Sequence, residues 1–182
     1  MSANRVLHLF ICGAGPATQI RQLVDIAQRD NWDVYCVATS SAIEHFLDTG
    51  ELASLTGHDV RTTYRKPGDS STPPPDAVVV APATYNTLNK WAAGIADNYV
   101  LSQLAELTGA RVRIVALPFV NQALAANAVF IRSIESLRAS GVRVLFGPGE
   151  FEPHQPRTGD SALARFPWGL ALRAAESSDG AE

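Results

Sequence analysis

The sequence has few cysteines, no long apolar run and no excess of charge, and each scarcity removes a class of protein. Cys12 and Cys36 are the only cysteines in 182 residues. A secreted, disulfide-stapled scaffold would need a denser set. No apolar stretch approaches the ~20 residues required to span a bilayer as a helix. The net charge is -3, and the 15 Lys and Arg residues are scattered rather than gathered into a stripe. Nothing in that distribution points to nucleic acid or to a membrane surface. The first apolar run, Val6 to Ile11, is too short for a secretory core and lacks a cleavage site after it. It reads as a buried strand, and the expected location is the cytoplasm. No pair of His, Cys or carboxylate side chains has metal-ligand spacing, so no metal is expected.

What is present suits one globular domain. Hydrophobic residues make up 46% and charged residues 18%, enough for a real core. Residues 1–176 are expected to form the domain and 177–182 a disordered tail. Apolar runs at Val6–Ile11, Val34–Ala38, Ala77–Ala81, Val112–Leu117 and Val142–Phe146 read as strands. Between them, helical spacing is expected over Ala17–Arg29, Ala42–Leu47, a stretch holding Trp91, Ile95 and Val100 that breaks near Gly94, and Ala123–Ala139. A short helix over Pro167–Ala175 should close the chain. Val60–Tyr64 is a possible short strand. Pro82 and Pro118 are expected to stop their strands. The segment Lys66–Asp76 holds three consecutive prolines and is either a surface connection or a loop over a site. This alternation predicts an α/β fold: a three-layer, doubly wound parallel sheet, Rossmann-like, in a single domain.

Such sheets bind ligands beyond the carboxyl ends of their strands. The first such loop is Gly13-Ala14-Gly15-Pro16-Ala17-Thr18. It is either an anion-binding turn at a helix start or an ordinary tight turn. Thr18 stands where a third glycine of a dinucleotide fingerprint would be. The second loop, Thr39-Ser40-Ser41, offers hydroxyls for a phosphate or for capping a helix. No acidic residue ends that strand to hold a ribose, which favours a mononucleotide over NAD. An NAD-dependent oxidoreductase using Gly13 to Gly15 stays open as an alternative. The third loop runs from Ala81 to Asn98. Pro82 and Ala83 are small enough for close approach of a planar ring. Thr84 and Thr87 can cap a helix or bind the ligand, and the Asn86 amide both donates and accepts.

The stretch Pro82–Asn98, PATYNTLNKWAAGIADN, resembles the PASANT-to-GIADN segment of the homo-oligomeric flavin-containing cysteine decarboxylases. That family includes phosphopantothenoylcysteine decarboxylase and the peptidyl-cysteine decarboxylases of lantibiotic biosynthesis. Val37–Phe46 is similar to its second-strand segment, and Pro118-Phe119-Val120-Asn121 to its PxMN motif. Resemblance covers residues 5 to 148. It implies FMN bound between subunits of a homotrimer, or of a dodecamer of trimers. Gly13, Ala14, Gly15, Thr39, Ser40 and Ser41 would hold the phosphate. Thr84 and Asn86 would lie along the isoalloxazine, Pro82, Ala83 and Thr87 would also bind the cofactor, and Asp97 and Asn98 would support the site or the subunit contact. The implied substrate is a small molecule or peptide carrying a cysteine carboxylate, which Asn121 would bind. In the family the cysteinyl side chain is oxidised to a thioaldehyde, and CO₂ is then lost to leave an enethiol.

Three departures accompany the resemblance. The family's catalytic His precedes the third strand, but Ser70–Asp76 holds none. Where the family has PxMNxxMW, Leu124 and Ala125 replace the last Met and the Trp. No cysteine lies on the late segment where some members carry one. The missing His leaves room for a flavin-binding protein that has lost catalysis. His154, in the Pro-rich tail Gly147–Phe166, is the one further candidate acid or base. His8 is expected to be a satisfied core residue, His45 a surface residue beside Phe46, Trp91 and Trp168 packing residues, and Cys12 a small buried hydrophobe.

Overall fold

A computed structural model describes residues 5–66, 68 and 71–177. The tail expected over 177–182 lies, beyond Ser177, outside the described residues, as does Ser70 of the segment without a His. Five parallel strands form one sheet: β1 (Arg5–Ile11), β2 (Trp32–Ala38), β3 (Ala77–Ala83), β4 (Ile114–Pro118) and β5 (Arg143–Val144), in the order β2-β1-β3-β4-β5. The helices are α1 (Arg21–Arg29), α2 (Ser40–His45), α3 (Thr49–Thr56), α4 (Tyr85–Ala92), α5 (Tyr99–Gly109), α6 (Gln122–Ala125), α7 (Ala128–Ala139), α8 (Gly159–Leu163) and α9 (Trp168–Glu176).

The order explains where a site belongs. From β1 the chain steps outward to β2 in one direction, and from β3 through β4 to β5 in the other. Right-handed crossovers then place α1 on one face and α4, α5 and α7 on the opposite face. The loops leaving β1 and β3 diverge, and a crevice opens between them. All of β3 is buried, as expected for a central strand covered on both faces. Around it, Leu9, Phe10, Val79, Val80, Val115 and Leu117 are wholly buried.

Several sequence expectations change in detail. Pro82 does not stop β3, which runs on to Ala83 with a register shift. Proline lacks a donor but keeps its acceptor, and the Pro82 carbonyl takes the Cys12 N–H at 3.2 Å. β4, by contrast, ends at Pro118, its last residue. Val60–Tyr64 is not a strand. It makes a single bridge, Arg61 to Val37. The helix expected from Ala17 begins as a 3-10 turn, Gly15–Gln19, with Pro16 in its first positions. Ala123–Ala139 is split, because the Asn127 side chain accepts from Val129 N and starts α7 afresh. Gly94 adopts φ +71° and separates α4 from α5 as expected.

His8 is a satisfied core residue, 7% exposed, with Nε2 donating to Pro73 O at 3.0 Å. Burial pushes its pKa down, against a smaller opposing effect of that hydrogen bond. The folded state therefore resists a proton that the unfolded chain accepts near pH ~6.5. Stability contributed by neutral His8 is present above that pH and lost as pH falls below it. The urea midpoint should fall between pH 7.5 and 5.5, and His8→Gln should flatten part of that slope. An unchanged slope in the variant would refute the role.

Candidate functional site

Backbone hydrogen bonds draw three strand tips together. Thr39 N donates to Ile11 O at 3.0 Å, joining β2 to β1, and Cys12 N donates to Pro82 O at 3.2 Å, joining β1 to β3. Above them lies a cavity of about 320 Å³ lined by Gly13, Thr39, Ser40, Ser41, Thr84, Asn86, Thr87 and Asn98, with Ala38, Thr62, Tyr99 and Val100. That volume lies within the ~300–1,000 Å³ range of small-molecule sites.

Eight of the residues singled out from sequence thus meet here. Five others lie off the cavity wall. Ala14 precedes the 3-10 turn, its N–H returning to Cys12 O at 2.9 Å. Gly15 faces α8, where an added Cβ would lie 2.8 Å from Leu163 Cδ2. Pro82 and Ala83 are buried within β3. Asp97 is paired with Lys90 and accepts from Asn98 Nδ2 at 3.1 Å. It thereby holds Asn98, which lines the cavity and accepts from Leu101 N to cap α5. Thr62, Tyr99 and Val100 were not singled out. Thr62 reaches the cavity only because Arg61 is bridged to β2, a long-range contact with no local signal.

Capping and cavity lining are the same residues. Thr39 accepts from Ala42 N to start α2, and Thr84 accepts from Thr87 N at 3.2 Å while donating to Thr87 Oγ1 at 2.9 Å. The caps leave hydroxyls and helix-start N–H groups facing one space, a neutral donor set that suits an anionic group. Cys12 lies behind this wall against Thr84 and Thr87, fully buried, and burial pushes its thiol pKa up. It is a small buried hydrophobe there. Thr84→Val should cost about 1 kcal/mol through the lost cap and weaken any ligand at the cavity, whereas Thr84→Ser should restore both. Urea midpoints and ligand titrations of the two variants check this.

The β4 tip stands next along the sheet. Phe119 N donates to Ala83 O at 2.9 Å. Asn121 accepts from Leu124 N at 3.0 Å, so its Oδ1 is committed to the α6 cap and its NH₂ remains as the donor end. The tail from Gly147 to Leu163 crosses over this tip. Asn121 and His154 form a parallel bridge, with Gln122 N donating to His154 O at 2.8 Å. His154 stacks on Phe119, ring centres 4.7 Å apart. Its pKa is pushed down by burial, and its Nδ1 is buried with no hydrogen-bond partner among the described residues.

A larger cavity of about 660 Å³ opens beside β2, lined by Tyr35, His58, Arg61, Tyr64 and Thr72 among others. It shares only Thr62 with the cavity at the strand tips. His58 is engaged there, 2.7 Å from Asp33 Oδ1 and stacked on Tyr35. His45 lies at the surface, edge-on to Phe46. Trp91 and Trp168 are core residues, 6% and 3% exposed. Among the described residues no group of three or more His, Cys, Asp or Glu could hold a metal ion, and no helix is long and apolar enough to cross a membrane.

A doubly wound sheet with a hydroxyl-lined crevice at its switch point defines a nucleotide-binding α/β protein. The chain belongs to the Flavoprotein family, whose model matches residues 1–167. Its fold is that of the FMN-dependent cysteine decarboxylase SpaF, with 23% identity, TM-score 0.70, and 95% of this chain and 98% of that one covered. TvaF, an FMN-dependent cysteine decarboxylase from thioviridamide biosynthesis, is 25% identical with TM-score 0.70, covering 95% and 99%. A PPC decarboxylase variant complexed with pantothenoylaminoethenethiol is 21% identical with TM-score 0.68, covering 96% and 100%. No curated protein matches.

Proposed function

We propose that this protein binds FMN in the cavity at the tips of β1, β2 and β3, and acts on a cysteinyl carboxylate presented at the tip of β4. The observation that carries the reading is the convergence of Gly13, Thr39–Ser41, Thr84, Asn86 and Thr87 on one space. Ser40 and Ser41, both exposed, would hold the phosphate by charge-assisted hydrogen bonds. Asn86 would meet the mixed donor and acceptor edge of the flavin. Bound FMN supplies two-electron oxidation. The chain's own groups bind and orient. Asn121, its carbonyl held by the α6 cap, offers its NH₂ to the substrate carboxylate. Family resemblance adds a homotrimer, or a dodecamer of trimers, to this reading, and light scattering tests it.

One observation favours a second reading. Among the described residues no His, Asp, Glu, Lys, Arg or Cys lines the cavity at the strand tips, so none of them moves a proton there near neutral pH. A flavin-binding protein without turnover fits that chemistry. A visible spectrum after FMN addition tests cofactor binding, and a colourless protein that takes up no FMN would sink both readings. Incubation with 4'-phosphopantothenoylcysteine or a cysteine-terminated peptide separates them. Loss of 44 Da supports decarboxylation. Tight flavin binding with unchanged masses supports the second.

A further inference from the structure

We infer that the segment Arg61–Tyr64 is the gate of the cavity at the strand tips, a strap fastened to α5 by Tyr64 that opens to let FMN enter and leave. The inference rests on the proposed FMN site.

Of the described residues lining that cavity, Thr62 alone belongs neither to a strand tip nor to the start of a helix. The rest of the wall is held firmly. The tips of β1, β2 and β3 are bonded to one another, and α2, α4 and α5 start at the caps Thr39, Thr84 and Asn98. Moving any of these breaks a ladder or leaves helix N–H groups without a partner. Thr62 stands on a different footing. Arg61, just before it, is held on both sides by β2: its N–H donates to Cys36 O at 2.9 Å, and its carbonyl accepts from Ala38 N at 2.9 Å. That end is the hinge. Two residues after Thr62, the Tyr64 side chain reaches the first turn of α5. Its hydroxyl donates to Ser102 Oγ at 2.5 Å, and its ring stands edge-on to Tyr99, centres 5.1 Å apart. That end is the latch.

The latch is weak. Tyr64 is 61% exposed, so its hydroxyl exchanges Ser102 for water at little net cost. Segments held by few buried contacts open far below the free energy of global unfolding. The strap therefore swings about Arg61 while the sheet and the caps stay in place.

Opening has a defined consequence. Thr62 lines both the cavity at the strand tips and the larger cavity beside β2, and so forms their shared wall. Tyr99 likewise lines the tip cavity and a third space of about 410 Å³ that Tyr64 also borders. When Tyr64 leaves α5, the tip cavity opens toward the β2 side. With the strap closed, Thr62 lies against whatever fills the tip cavity. A ligand shifts such an equilibrium only through contacts made in one of its states. Thr62 supplies that contact, so bound FMN holds the strap shut.

The test follows FMN association and dissociation by flavin fluorescence in wild type, Tyr64→Phe, Ser102→Ala and the double variant. Tyr64→Phe keeps the ring beside Tyr99 and removes only the hydroxyl. The latch stabilises the closed strap with and without ligand. Its loss should therefore raise both rate constants together by roughly fivefold, the worth of one exposed hydrogen bond, and leave Kd within about twofold of wild type. Ser102→Ala should do the same, and the double variant no more than either, as for two ends of one bond. A rise in the dissociation rate alone would make Tyr64 a prop of the bound ligand, and unchanged rates would make the strap a fixed wall. Either result overturns the gate and leaves the FMN reading standing. A wild-type protein that takes up no FMN removes both.

Discussion

Phe130→Ala is expected to remove about 3–5 kcal/mol of stability, the usual cost of emptying a buried aromatic site. Against a typical total of ~5–15 kcal/mol, that is about a fifth of the stability or more. The side chain is wholly buried. Its ring stacks on Tyr85 at 5.6 Å and meets Phe146 edge-on at 5.4 Å. One ring thus joins α7, the first turn of α4 and the chain leaving β5. The urea midpoint should fall with an unchanged slope, as for a lost packing interaction in a two-state fold. Phe130→Leu, which keeps much of the apolar volume, should cost less. The folded fraction of Phe130→Ala should still bind FMN, because the Thr84 cap and the three joined strand tips do not depend on the ring. A midpoint that stays within 1 kcal/mol of wild type, roughly the error of single-site accounting, would contradict the packing argument.

Gly13→Ala should act the other way round, with a moderate stability cost and a large loss of flavin binding. An added Cβ would lie 2.4 Å from Ser41 Oγ, 2.9 Å from Ser41 Cβ and 3.0 Å from the Ser41 backbone carbon. The hydroxyl can rotate away, but the other two atoms cannot move without the start of α2. Overpacking of this kind costs about 1–3 kcal/mol. Moving the start of α2 displaces the Ser40 and Ser41 hydroxyls from the cavity, so FMN affinity should fall at least ~10-fold, equivalent to ~1.4 kcal/mol. Gly13→Ala combined with Ser41→Gly should recover most of the stability but not the binding, because Ser41 is lost as a ligand group. Gly15→Ala is the control. Its nearest obstacle is the tip of Leu163 at 2.8 Å, which Leu163→Ala removes. Flavin fluorescence quenching and urea midpoints measured on the same samples distinguish all four variants. Flavin affinity in Gly13→Ala equal to wild type would refute the placement of the phosphate beside Ser41.

The two glycines of the first loop show where sequence reasoning stops. Their spacing marks a strand-to-helix turn, and that turn is present. Which neighbour fills the space each leaves open is settled by residues far along the chain, Ser41 for one and Leu163 for the other. Pro82 teaches the same lesson on a smaller scale. As a local signal it stops a strand. In the sheet its carbonyl still has a donor, from Cys12, so β3 continues. Asp97 carries a charge that draws attention in sequence, yet the structure gives it to Lys90 and brings Asn98 to the cavity instead.

The sequence by itself determined the alternation of strand and helix, the buried central strand and the hydroxyl-bearing caps that follow β2 and β3. These depend on periodicity and on residues within a few positions of one another. Only the tertiary structure decided that the three strand tips meet in one cavity, that Thr62 and Tyr99 reach it, and that His154 lies on Asn121. The reason is physical: crossover handedness and strand order set which distant loops become neighbours, and that information resides in the packing of the whole sheet rather than in any local run of residues.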